Sequence, residues 1–147
     1  LWARNMSVGV NLLVQLVSEA AAQLGAGWDI EITETHHRHK VDAPSGTALA
    51  LYEAACAALG RDPATTAVPG RSGQCGPRTS TEIGVHALRM GGIVGEHSVH
   101  FATPDEQVTL EHRAFSRDTF AAGAIRAAKW IDDRPPGLYA MRDVLAK

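Results

Sequence analysis

Cysteine is scarce in this sequence. Cys56 and Cys75 form no CxxC pair and no disulfide-dense pattern, so a reducing, cytoplasmic setting is the expectation. Excess positive charge is also missing. The 14 Lys and Arg face 16 Asp and Glu, a net charge of -2 with histidines neutral. No global field draws nucleic acid, and an anion site has to arise from local clustering. No apolar run is long enough to span a bilayer. The opening LWARNMSVGVNLL lacks the charged, apolar, small-residue order of a secretory leader. No glycine-rich dinucleotide fingerprint follows a strand-like run. Internal repeats and low-complexity tracts are absent too.

What is present is enough for one domain: 147 residues, 45% hydrophobic and 20% charged. Ser7–Leu24 has a helical apolar stripe of Val10, Leu13, Leu16, Val17, Ala20, Ala21 and Leu24. Ser7 suits its cap and Gly25 a left-handed stop. Trp28–His37 alternates as a strand. Glu34 and His36 fall on one face; Thr35, His37 and, if the strand continues, His39 fall on the other. Gly46–Leu59 reads as a second helix, with Ser45 as cap and Gly60 as stop. Arg61–Ser80 reads as a long loop. The runs Glu82–Met90, Ile93–Ala102 and Gln107–Phe115 read as a meander of three strands joined by hairpins. A helix over Arg117–Asp132, with Ser116 as cap, and a short one in Leu138–Lys147 complete the chain. The fold class is α+β: a mixed, open sheet of about four strands with helices on one face.

The stretch HHRHKVDAPSGTA concentrates titratable nitrogen just before a helix start. Ser45, Gly46 and Thr47 open that helix with free N–H groups, partial positive charge and two hydroxyls, so they suit a carboxylate or phosphate. His36, His37 and Lys40 lie just upstream, and either residue type can deliver a proton. Two cationic groups beside a helix N-terminus also suit a small dicarboxylate. Plainer readings stand beside these. His37 and His39 also read as surface side chains, and Ser-Gly-Thr as ordinary capping. His37 and His39 share a strand parity that would suit a metal, but no carboxylate or cysteine partner sits at a typical spacing, and no metal site is assigned. His86, His97, His100 and His112 are scattered on strands and read as sheet-surface residues.

EITETHHRHKVDAPSGTA closely resembles the signature of dihydrodipicolinate reductases, oxidoreductases of lysine and diaminopimelate biosynthesis. NMSVGVNLL, IGVHALRMGGIVGEHSV, FAAGAIRAAKWI and GLYAMRDVL resemble the family's other blocks, in the same order. The resemblance implies reduction of 4-hydroxy-tetrahydrodipicolinate to tetrahydrodipicolinate with NADH or NADPH. It implies His36 as the acid/base histidine, Lys40 as proton donor, and His37, Ser45, Gly46 and Thr47 as substrate-binding. Ala3, Arg4, Asn5 and Met6 match the stretch that touches the nicotinamide end of the cofactor; Arg4 departs from the small residue or proline usual there. A homotetramer built through the sheet is also implied.

The family's N-terminal Rossmann domain has no counterpart here, so an excised fragment is the expectation, inactive by itself. Residues 1–125 are then a substrate-binding and oligomerisation domain. Residues 126–147 are a helical segment that would pack on the missing dinucleotide-binding domain. The alternative is a non-catalytic dicarboxylate-binding or assembly module.

Overall fold

The computed structural model describes residues 1–146; Lys147, the end of the expected last helix, lies outside the described residues. Helix α1 (Val8–Leu24) begins where the Ser7 hydroxyl accepts the Val10 N–H at 3.3 Å. Its buried face is Val10, Leu13, Val17 and Ala21, while Leu16 of the expected stripe is 40% exposed. Gly25 closes it with φ 77° but ψ -173°, so it is not the left-handed stop that its residue type predicts. Strand β1 (Asp29–His36) ends before His37, and residues 38–39 form a turn, so His39 lies off the strand. Helix α2 (Gly46–Leu59) matches its expected bounds, capped by Ser45 and closed by Gly60 in the left-handed conformation, φ 63° and ψ 27°.

The sheet has five strands in the order β2-β3-β1-β4-β5, with β2 (Ala67–Val68), β3 (Ile83–Arg89), β4 (Gly95–Ala102) and β5 (Gln107–Ala114). It is mixed and open, and α1 and α2 cover one face. Two expectations give way. The 61–80 segment contains a two-residue edge strand, too short to carry an alternating signal. The expected meander is broken between β3 and β4, because β1 lies between them, parallel to β3 and antiparallel to β4. Among the described residues only β4 and β5 form a hairpin, in the register Val99↔Leu110 and Phe101↔Val108.

Local hydrogen bonds explain the break. The chain after β3 does not fold back on β3. Met90 N–H donates to His36 O at 3.0 Å, and Arg38 N–H donates to Gly91 O at 3.1 Å. The Gly91-Gly92 segment therefore seals the end of β1 rather than closing a hairpin. Burial favours the same order: Ile30 and Ile32 pair with Ile83 and Val85 on one side and with Phe101 and Val99 on the other. All six are at most 3% exposed. Burial of side chains this size stabilises by roughly 1.5–3 kcal/mol each, and β1 in the centre gives Ile30 and Ile32 buried apolar partners on both sides.

A second, smaller cluster lies away from the sheet. Helix α3 (Asp118–Ile131) and helix α4 (Met141–Leu145) bring Ala127, Met141 and Val144 against Leu1, Ala3, Met6, Val8 and Trp130. Ser116 accepts the Asp118 N–H at 3.1 Å, one position before the observed cap, Arg117, which makes no side-chain capping bond. α3 approaches the N-terminal segment so closely at Gly123 that an added Cβ would overlap the Met6 carbonyl oxygen, a backbone atom. Gly123→Ala is expected to lower stability by about 1–3 kcal/mol, measured by urea unfolding. Gly92→Ala, where a Cβ meets nothing within 4 Å, serves as control. Equal midpoints for the two variants would refute the packing account.

Candidate functional site

Glu34 is fully buried, an unusual place for a carboxylate. Its parity with Ile30 and Ile32 turns it toward the helices, and three elements supply its partners. Arg89, paired in register with His36 at the end of β3, grips it as a fork, Nη2 to Oε1 and Nη1 to Oε2, both 2.8 Å. The Ser45 backbone N–H donates to Oε1 at 3.0 Å, and His36 Nδ1 lies 2.6 Å from Oε2. Burial pushes the Glu34 carboxyl up, but the Arg89 and then the His36 hydrogen bonds outweigh it and hold it below the ordinary carboxylate range. One ionised carboxylate thus joins the strand that carries His36 to the mouth of α2.

At that mouth Ser45 Oγ accepts the Ala48 N–H at 3.1 Å and lies 3.1 Å from His97 Nε2. The Gly46 and Thr47 N–H groups, in the first turn, have no upstream carbonyl to bond. A Cβ at Gly46 would meet nothing within 4 Å, so the space above the cradle is open. Asn5 Nδ2 donates to Thr47 Oγ1 at 3.0 Å, and Asn5 Oδ1 accepts the Ser7 N–H at 2.8 Å. The N-terminal segment is thereby tied to the cradle. This arrangement can hold a carboxylate on backbone and hydroxyl donors with an imidazole alongside.

His97 is a correction to the sheet-surface reading. It is 3% exposed, and its ring packs edge-on against His36 at 5.1 Å. His112, its cross-strand partner, also turns toward the helices; His86 and His100 have the opposite parity. The signal was in the sequence: His97 shares parity with Val99 and Phe101. Burial first, then the neighbouring His36, pushes the His97 pKa down to about 4. Burial also lowers that of His112. His36, Thr47, Gly95, His97 and His112 surround a pocket of about 20 Å³, the size of one water. A larger cavity of about 360 Å³ adjoins it, lined by Trp2, Arg4, Asn5, Asn11, Thr47 and Arg142 among others.

The sequence-predicted residues are not all brought together. His36, Ser45, Gly46, Thr47 and Asn5 converge. Lys40 is reached through a relay: its Nζ pairs with Asp42 at 2.8 Å, and the Asp42 carbonyl accepts from Arg89 at 2.7 Å. His37 stands with its ring 6.3 Å from that of His39, outside this network. Arg4 pairs with Glu53 at 2.8 Å, and Ala3 and Met6 pack in the terminal cluster. Among the described residues no group of three His, Cys, Asp or Glu could hold a metal ion. Sequence reasoning missed Glu34, Arg89 and His97 as parts of the site; Glu34 was visible as a charge on the apolar face of β1.

The family described as "Dihydrodipicolinate reductase, C-terminus" matches residues 9–145. The 4-hydroxy-tetrahydrodipicolinate reductase of Thiobacillus denitrificans is 58% identical over 144 residues, 98% of this chain and 54% of that protein. The enzyme of the same name from Chromohalobacter salexigens is 56% identical over 145 residues, again 98% and 54%. The chain thus spans about half the length of the curated relatives it matches. A solved structure, dipicolinate-bound dihydrodipicolinate reductase from Paenisporosarcina sp. TG-14, shares the fold with TM-score 0.72 at 24% identity, over 95% of this chain and 52% of that one.

The buried histidines make stability depend on pH. An unfolded histidine titrates near 6.5, and His97 in the fold titrates at about 4. The unfolded chain therefore takes the proton first as pH falls. The His97 contribution is complete above the unfolded value and is lost as pH drops toward 4, about 3 kcal/mol in all. His112 acts in the same direction. Glu34, held below 4.5, adds its own loss only at lower pH. Urea unfolding across this window should show a slope that flattens in His97→Gln. Parallel slopes would contradict the assignment.

Proposed function

Since the chain belongs to the family of dihydrodipicolinate reductase C-terminal regions, we propose that it is the substrate-binding part of a 4-hydroxy-tetrahydrodipicolinate reductase. The observation that carries this reading is the junction at Glu34, which ties a titratable imidazole to an open, amide-rich helix mouth. Ser45, Gly46 and Thr47 take one carboxylate of a small ring; His37 takes the other. His36 is the acid/base histidine beside that ring, and Lys40, paired here with Asp42, is the proton donor. The dicarboxylate named with the Paenisporosarcina structure is of the class this cradle would hold.

NADH or NADPH, when bound, supplies the hydride. Of its site this chain offers one end only. Ala3, Arg4 and Asn5 border the cavity beside Thr47, which fits a flat ring laid next to the substrate. The parallel crossover from β1 through α2 to β2 and β3 carries no glycine-rich phosphate loop in the β1–α2 connection. Residues 126–147, with exposed Leu138 and the terminal cluster below it, are the part that packs on a dinucleotide-binding domain; residues 1–125 bind substrate and assemble. The face of the sheet opposite α1 and α2 carries Thr33, His86, Ser98 and Thr109 and is the assembly surface of a cytoplasmic homotetramer.

Titration with pyridine-2,6-dicarboxylate should move the backbone NMR signals of Gly46, Thr47 and His37. Thr47→Val should weaken binding roughly 10-fold, the worth of one hydrogen bond to a charged group. The chain alone should not oxidise NADPH. Fused behind the N-terminal half of the Thiobacillus relative, it should turn over substrate, as a pure binding module would not. Unmoved signals at the cradle would defeat the reading.

A further inference from the structure

We propose that Glu34, locked by Arg89, is the positioning residue that keeps the His36 proton on Nδ1 and aims Nε2 at the gap left by Gly95. The role rests on the reading of His36 as the acid/base histidine, which exchanges a proton at Nε2; the geometry stands without it. Glu34 is buried and its two oxygens are gripped by a guanidinium fork and a backbone N–H, so it has no freedom to turn away. An ionised carboxylate accepts hydrogen bonds and cannot donate them. The 2.6 Å contact with His36 Nδ1 therefore requires the proton on the ring nitrogen. In the neutral ring the lone pair is then on Nε2.

Nε2 lies beside Gly95, at the water-sized pocket that adjoins the larger cavity. A Cβ added at Gly95 would lie 3.1 Å from it, inside the contact distance that real side chains keep, so glycine leaves that flank of the imidazole bare. The same Oε1 that binds Arg89 holds the Ser45 N–H. A displacement of Glu34 would move the acid/base histidine and the anion cradle together. Arg89 also bonds the Asp42 carbonyl, which brings the Lys40-bearing loop into the same register. Positioning of this kind, through a hydrogen-bonded carboxylate behind a histidine, sets tautomer and ring orientation at once.

The test is the tautomer of His36, read by long-range 15N–1H NMR on this chain at alkaline pH, where the ring is neutral. Wild type should show a protonated Nδ1 and a bare Nε2. In Glu34→Gln the amide oxygen stays with the Ser45 and Arg89 donors, its NH2 turns to His36, and the tautomer reverses. Arg89→Lys keeps the carboxylate and should keep the wild-type tautomer. Affinity for pyridine-2,6-dicarboxylate should fall roughly 10-fold in Glu34→Gln. A proton on Nε2 in wild type, or an unchanged tautomer in Glu34→Gln, overturns the proposal whatever the ligand does. If Glu34→Gln does not fold, the wild-type and Arg89→Lys tautomers decide it. Failure of the dicarboxylate to bind wild type would defeat the functional reading and leave the tautomer result standing.

Discussion

The site depends on one buried ion pair. Taking the Glu34 carboxylate out of water is expensive, and a buried charge stripped of its partner destabilises a protein by several kcal/mol. The fold meets this by giving each oxygen two donors: Oε1 takes Arg89 and Ser45, Oε2 takes Arg89 and His36. The four contacts come from β3, the start of α2 and β1. None of the three elements can shift without leaving part of the charge unpaired. A hydrophobic residue at this position would pack, but it would not set the position of the His36 ring relative to the mouth of α2.

The same constraint bears on how a chain of net charge -2 could offer the anion cradle proposed at α2. The cationic cluster 36–40 is not a free positive patch. Glu34 answers Arg89 and His36, and Asp42 answers Lys40. Opposed charges fix the His36 and Lys40 side chains in place, and the first turn of α2 adds backbone N–H groups that need no counter-ion. Arg89 and Asp42 are thus the framework of the cluster, and the open cradle at Gly46 is its working surface.

Much of this was legible in the sequence, and the limits have physical causes. The α2 bounds, its Ser45 cap and its Gly60 stop are local chemistry and came out as observed. So did the parity of Glu34 and His36. Strand order did not, because Gly91-Gly92 offers a hairpin turn locally while the hydrogen bonds to residues 36 and 38 are decided by distant partners. The partnership of Glu34 with Arg89, separated by 55 positions, was likewise invisible to any local rule. His97 was readable and misread: its scatter among other histidines hid a parity shared with Val99 and Phe101.

Topology accounts for where these residues meet. β1 and β3 run parallel, with α2 as their crossover, so the carboxyl ends of both strands and the amino end of α2 lie at one edge of the sheet. That edge is where open α/β units bind ligands. β4 runs antiparallel, so its beginning, Gly95 and His97, reaches the same edge. The crossover usually associated with a glycine-rich phosphate loop here carries histidines, a lysine and Ser-Gly-Thr instead. A retained helix dipole with titratable groups in place of a glycine loop suits the carboxylate binding and proton transfer proposed for this site.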